Sequence, residues 1–222
     1  MPSFNHLVTN EQDLRAVIGV PSPRSVLKER RLLDEHTRAF IARSPFLLMA
    51  TSDANGRCDV SPKGDGPGFV QVLDDQRIVI PERPGNKRFD GMLNIMANPH
   101  VGLIFLVPGR QETLRVNGKA WITRDPQLLE PCVAHGKVPL VAIAVEIEQC
   151  FLHCPKAFVR SRLWHTDAWP AADSLPSMAC ASRARGLSTS RARLRASTRS
   201  QSPSLTSRSR RHSIHRHLPH SP

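Results

Sequence analysis

Nothing in this 222-residue chain approaches eighteen continuous apolar residues, the length a helix needs to cross a bilayer, so no spanning helix and no membrane partner are expected. The N-terminus shows no apolar stretch ahead of a cleavage site, which argues against a secretory leader. Five cysteines, Cys58, Cys132, Cys150, Cys154 and Cys180, are odd in number and follow no framework spacing. They do not read as a disulfide scaffold, and a reducing, cytoplasmic setting is expected. There is no internal repeat to suggest a solenoid or a propeller.

A second absence is local. Residues 179–222 contain no acid, no lysine and no aromatic residue, against ten arginines, four histidines and eleven serines. Such a segment cannot bury a core and is expected to be a disordered Arg/Ser-rich tail. Removing its ten charges from 31 bases leaves 21 against 19 acids, a net of +2 for residues 1–178 where the whole chain has +12. The basic balance therefore belongs to the tail and says little about what the folded body binds. Salt-sensitive nucleic-acid binding is one reading of the tail. The abrupt loss of every acid after Met178 is read instead as a change of reading frame, and nucleic acid is not an expected partner.

What is present reads as a helical start and a β body. From Ser22, "SPRSVLKERRLLDEHTRAFIARS" offers a capping serine, Pro23 at the first helical position, and apolar residues at Val26, Leu33 and Phe40 with Leu32 and Ala39 beside them. One amphipathic helix of several turns is expected there, after a shorter one at 11–17. "PFLLMATSDANGRCDVSPKGD" predicts strands at 46–51 and 57–62 around Asn55-Gly56, and "GFVQVLDDQRIVI" a second hairpin at 69–73 and 77–80. "NKRFDGMLNIMANP" places Phe89, Met92, Leu93 and Met96 on one helical face, stopped by Asn98-Pro99.

"HVGLIFLVPG" reads as a strand buried on both sides. "ETLRVNGKAWITR" alternates, with Leu114, Val116, Gly118, Ala120 and Ile122 facing a core. A short helix is expected from Asp125-Pro126 to about 134, then a long strand in "VPLVAIAVEIEQCFLH" and a closing helical turn in "PKAFVRSRLW". About six antiparallel strands in meander order, with N-terminal and crossover helices, suit a small closed barrel, mainly β in class. The expected organisation is a helical segment at 1–44, the barrel at 45–165, a linker at 166–178 and the tail.

"IPERPGNKRFD", residues 80–90, concentrates cations where a helix begins. Lys87 and Arg88 oppose the macrodipole there, and a bound phosphate would reverse the sign while also using free amides and Asn86. "DVSPKGD" brings Ser61 and Lys63 to the end of a neighbouring strand, and Arg115 is a third candidate for the same anion. Arg83 lies close in sequence with its direction open. The plainer alternative is that these side chains are solvated.

Taken in order, "SPFLLMAT", "GRCDVSPKGD", "GFVQVLDD", "IPERPGNKR", "NPHVGLIFLVPG", "ETLRVNGKAWIT" and "FLHCPKAFVRSRLW" resemble the pyridoxamine 5'-phosphate oxidase-related flavoproteins. The resemblance covers residues 14–164, roughly two thirds of the chain. It implies an FMN-binding split barrel and a homodimer with flavin at the subunit interface. It places the phosphate among Lys63, Asn86, Lys87 and Arg88, and the ring and ribityl chain along Val60, Ser61, Pro62, Ile80 and Pro81. Thr113 and Arg115 match its cofactor-facing strand, and Arg162 with Trp164 its C-terminal segment.

The vitamer oxidases end in an arginine and histidine signature that grips the substrate phosphate, whereas "RSRLWHT" here runs into an unrelated tail. The implied activity is thus flavin-dependent redox chemistry on an unidentified small molecule. Rival readings are a non-catalytic flavin- or nucleotide-binding module, or a deazaflavin or haem ligand in the same barrel. Cys132 with His135, and Cys150 with His153 and Cys154, pair on paper as zinc ligands, but strand alternation separates the second group and no metal is expected. Asp59, Asp65 and His135 read as strand-end and turn residues, and no catalytic side chain is assigned.

Overall fold

The computed structural model describes residues 4–171 and residue 174. The tail therefore lies outside the described residues, as does part of the expected linker. Contacts divide the chain into units Met1–Trp169 and Pro170–Pro222. The sheet and the helices around it all belong to the first unit.

Helix α1, Glu11–Ile18, starts at Asn10, whose side chain accepts from the Asp13 amide, and buries no residue. Ser22 caps α2, Pro23–Leu27, as expected. The single long helix expected beyond it is broken. Arg30 leaves the helical path to exchange backbone hydrogen bonds with Cys150, at 3.0 and 2.7 Å. Asp34 then opens α3, Glu35–Arg43, by accepting from the Thr37 amide while Thr37 reciprocates. A cap of this kind stabilises a helix start by about 1 kcal/mol, so Asp34 acts as a beginning where apolar spacing alone suggested continuity.

Seven strands follow: β1 Phe46–Ser52, β2 Cys58–Gly64, β3 Gln71–Val72, β4 Arg77–Pro81, β5 His100–Leu106, β6 Thr113–Thr123 and β7 Ala142–His153. They form one antiparallel sheet in the order β2-β1-β5-β6-β7-β4-β3. Both expected hairpins are present, yet the order is not a simple meander, because β5 joins β1 and β4 joins β7. The sheet is not closed into a barrel by hydrogen bonds between β2 and β3. Its edges are protected in another way: β3 has only two residues, and β2 carries Pro62, a residue suited to an edge because it has no amide to donate.

Inward side chains build one main core, including Leu47 and Met49 of β1, Leu103 and Phe105 of β5, Leu114 and Val116 of β6, and Ile143 and Val145 of β7. The alternation expected for β6 is observed. β5 differs from expectation, since only Val101, Leu103 and Phe105 are buried while Gly102, Ile104 and Leu106 are half-buried. That second face belongs to the outer surface of the sheet.

Helix α4, Asp90–Ala97, packs on β1, β2 and β6. It buries Gly91, Met92, Asn94 and Ile95, leaving Phe89, Leu93 and Met96 at 49%, 56% and 68% exposure. The expected face is corrected by a polar residue: Asn94 Nδ2 donates to Thr51 Oγ1 at 3.1 Å and Asp59 Oδ2 at 2.8 Å. Those bonds satisfy a buried amide and rotate the helix away from its apolar stripe. Gly91 permits the close approach, because a Cβ there would stand 3.2 Å from Met49 Cε. Helices α5, Pro126–Leu129, and α6, Lys156–Ser161, complete the unit. Among the described residues no helix is long and apolar enough to cross a membrane.

Candidate phosphate-binding site

The end of β2, the loop after β4 and the start of α4 enclose a cavity of about 360 Å³. Ser61, Pro62, Lys63 and Pro81 border it on the strand side, and Asn86, Lys87 and Arg88 on the loop side. Registry explains which residues of β2 reach it. Ser61 and Lys63 pair with Met49 and Leu47 on the inner face, whereas Val60 pairs with Ala50 on the outer one; Pro62 also pairs outward, with Leu48, and still borders the cavity. Val60 is 63% exposed and Ile80 is fully buried in the core, and neither lines the cavity.

The remaining expected residues lie elsewhere in the chain. Thr113 pairs with His153 and Arg115 with Phe151. Arg162 binds Asp167 at 2.6 Å, and Trp164 stacks on Phe158 while donating to the Arg110 carbonyl at 2.6 Å. None of these four lines the cavity.

Acids inside and around the cavity hold most of its cations. Lys63 is ion-paired with Glu82, their side chains 15% and 19% exposed. Arg83 binds Asp65 at 2.6 Å and the Cys132 carbonyl at 2.9 Å, which settles its direction. The Gly66 amide, then Arg83, hold the Asp65 carboxyl below its ordinary range against the effect of burial. Arg88 binds Asp90 at 2.8 Å. Lys87 has no carboxylate partner among the described residues.

Helix α4 begins at Asp90, later than expected, so Lys87 and Arg88 stand in the loop before it. Lys87 and Phe89 both adopt φ of +61°, a left-handed conformation costing about 1–3 kcal/mol for a non-glycine residue. Asn86 accepts from the Arg88 amide at 3.0 Å and so shapes this loop. Phe89, at the cap position, makes no side-chain capping bond, which leaves the first amides of α4 for another acceptor. Glu82 is the member of the site that the sequence reading passed over. Its signal was there: it is the one acid in the run from Pro81 to Arg88.

A family model described as Pyridoxamine 5'-phosphate oxidase matches residues 33–154, more than half of the chain. The chain belongs to the pyridoxamine 5'-phosphate oxidase family. Every cavity residue falls inside the matched segment, while Arg162 and Trp164 lie beyond its end. A comparison with curated proteins gives no match.

Solved structures similar to this member of the family include Group A Streptococcus HupZ, with 19% identity, a TM-score of 0.45 and coverage of 54% of this chain and 93% of that one. An FMN-binding protein from Syntrophomonas wolfei has 10% identity, a TM-score of 0.42 and coverage of 64% and 96%. HutZ, the heme storage protein from Vibrio cholerae, has 18% identity, a TM-score of 0.39 and coverage of 55% and 93%.

Burial, then Arg115 and Lys28, push the His153 imidazole below its ordinary value of 6.5. The unfolded chain therefore binds the extra proton first. The corresponding stability is fully present above pH 6.5 and is lost as pH falls through the depressed folded value. Urea midpoints measured at pH 7.5 and 5.5 are expected to fall further in the wild type than in His153→Gln. Equal falls would contradict the assignment.

Proposed function

We propose that the chain is an FMN-dependent oxidoreductase that works as a cytoplasmic homodimer on an unidentified small molecule. The observation that carries this reading is the meeting of Lys63, Lys87 and Arg88 around one cavity beside the uncapped start of α4. Cations from a strand end and a separate loop form a suitable cradle for a doubly charged phosphate ester. At about 360 Å³ the cavity is at the small end of the usual range for ligand pockets, adequate for a phosphate and its attached chain. The donor set thus fits the phosphate end of FMN.

Bound flavin supplies the redox chemistry, and the protein has to bind and orient it. Lys87 offers an ammonium that no carboxylate holds among the described residues. Arg88 and Lys63 turn from Asp90 and Glu82 towards the phosphate, and Ser61 adds a hydroxyl. The α4 amides complete the cradle through the helix dipole.

The outer face of the sheet supports the homodimer. Phe46, Leu48 and Val60 are 37%, 36% and 63% exposed there, adjoining half-buried Ile104 and Leu106. A contiguous apolar surface of this kind suits a self-complementary interface.

The test is direct. Purified protein mixed with FMN is expected to run yellow on gel filtration at the mass of a dimer and to bleach anaerobically with a nicotinamide donor. Retained flavin that never bleaches would favour a carrier. A colourless protein, or one that takes up haem or a deazaflavin in place of FMN, would overturn the cofactor.

A further inference from the structure

The segment between β4 and α4 has little backbone structure of its own. The Glu82 amide donates to the Val141 carbonyl at 3.1 Å, and the Leu93 amide to the Phe89 carbonyl at 2.9 Å, but residues 83–88 make no backbone–backbone hydrogen bond among the described residues. Lys87 and Phe89 are left-handed, a conformation that persists only where the surroundings hold it. Side chains must therefore fix the loop.

Among the described residues, Arg83 makes both hydrogen bonds that tie residues 83–88 to distant parts of the chain, since the other two stay between Asn86, Arg88 and Asp90. Its Nε donates to Asp65 Oδ2 at 2.6 Å and its Nη1 to the Cys132 carbonyl at 2.9 Å. Both anchors are firm. The Asp65 amide donates to the Pro45 carbonyl at 3.1 Å, Asp65 Oδ1 accepts from the Gly66 amide at 2.8 Å, and Phe69 and Val70 just beyond are buried in the main core. Cys132 is buried with Val79, Leu129 and Ala142 in a second apolar cluster. Asp65 and Cys132 border a smaller cavity of about 200 Å³ and not the phosphate cavity, whereas Arg83 borders both. The guanidinium is thus turned away from the place where a phosphate would lie.

We propose that Arg83 is a positioning residue of the phosphate site: clamped by Asp65 and the Cys132 carbonyl, it fixes the loop in the shape that brings Asn86, Lys87 and Arg88 to the phosphate, and does not itself touch that group. The inference deepens the FMN reading and rests on it. Arginine suits the task because its planar head makes two bonds in fixed directions, where a lysine ammonium acts as a point charge. With the clamp open, the loop visits shapes in which the three residues do not meet, and affinity falls with the fraction of molecules that keep the competent shape. The phosphate end of the ligand alone feels the loss.

The test measures FMN and riboflavin affinity by fluorescence titration for the wild type, Arg83→Ala, Asp65→Asn and the double variant. The change at position 65 keeps an oxygen for the Gly66 amide and presents an NH2 group to Arg83, so it opens the clamp with the least change of shape. Each single variant is expected to bind FMN about tenfold more weakly, as when about one tenth of molecules keep the competent loop, with riboflavin affinity unchanged. The double variant should lose no more than either single one, because both changes open the same clamp. Arg83→Lys, which keeps one bond at a time, should fall between the wild type and Arg83→Ala, and takes its place if that variant folds poorly.

Unchanged or tighter FMN binding by Asp65→Asn would mean that a released Arg83 grips the phosphate directly, and would overturn the proposal. Additive losses in the double variant would overturn it too, as would an equal loss of riboflavin affinity, the mark of a pair that only supports the fold. A full preference for FMN in the Arg83 variants would remove the clamp and leave the phosphate site standing. A wild type indifferent between FMN and riboflavin would sink the phosphate site itself, and this inference with it.

Discussion

Gly118→Ala is expected to lower stability by about 3 kcal/mol, the upper part of the range for forcing atoms into a filled space, and so to reduce Tm by roughly 6–12 °C in a unit of this size. Strand β6 shifts register against β7 between Asn117 and Gly118. A Cβ on Gly118 would lie 2.0 Å from the Glu146 carbonyl oxygen and 2.9 Å from its carbon. Both are backbone atoms of the adjoining strand and cannot turn aside as a side chain could. Relief requires pulling apart the pairing between the two longest strands of the sheet.

Gly102→Ala is the control. Its added Cβ would meet Asn117 Oδ1 at 3.4 Å, a contact that a side chain can relieve by a small movement, so its Tm should change far less. Thermal unfolding of both variants measures the difference. A Gly118→Ala protein that melts with the wild type would contradict the bulge.

Lys87→Ala and Arg88→Ala are each expected to weaken FMN binding by about 1–3 kcal/mol, the range for losing a charged hydrogen bond, or roughly 5- to 150-fold. Lys87 should show the larger loss. Its ammonium is free of carboxylates among the described residues, whereas Arg88 must first give up Asp90 at 2.8 Å. The same logic predicts a smaller loss for Lys63→Ala, because Glu82 already occupies that ammonium. Fluorescence titration of FMN against each variant supplies the numbers, and unchanged affinity in both loop variants would reject the phosphate cradle.

The sequence was most legible where one periodicity dominates. Along β6, Leu114, Val116, Gly118 and Ala120 alternate with half-buried Arg115, Asn117 and Lys119, and two-residue spacing is sufficient to read that pattern. The polar and cationic residues that border the cavity were legible as well, because local chemistry singled out Ser61, Lys63, Asn86, Lys87 and Arg88.

Reading failed where a polar side chain or a distant strand decides the outcome. Asp34 begins a helix inside an apolar repeat, and the pairing of Arg30 with Cys150 breaks that helix from 120 positions away, as no local pattern can announce. Asn94 turns α4 by reaching Thr51 and Asp59, bonds that exist only once the strands are in place. The joining of β5 to β1 is likewise a property of the assembled sheet. Within the site, Glu82 escaped notice because its partner Lys63 belongs to another strand.

The central claim is that this chain grips a phosphate, and a comparison of FMN with riboflavin on the wild-type protein tests it most directly, since the two ligands share the ring and ribityl chain and differ only in that group. Two charge-assisted bonds predict that FMN binds at least about thirty-fold more tightly, with the preference shrinking as salt is raised. Equal affinities at low salt would contradict the account.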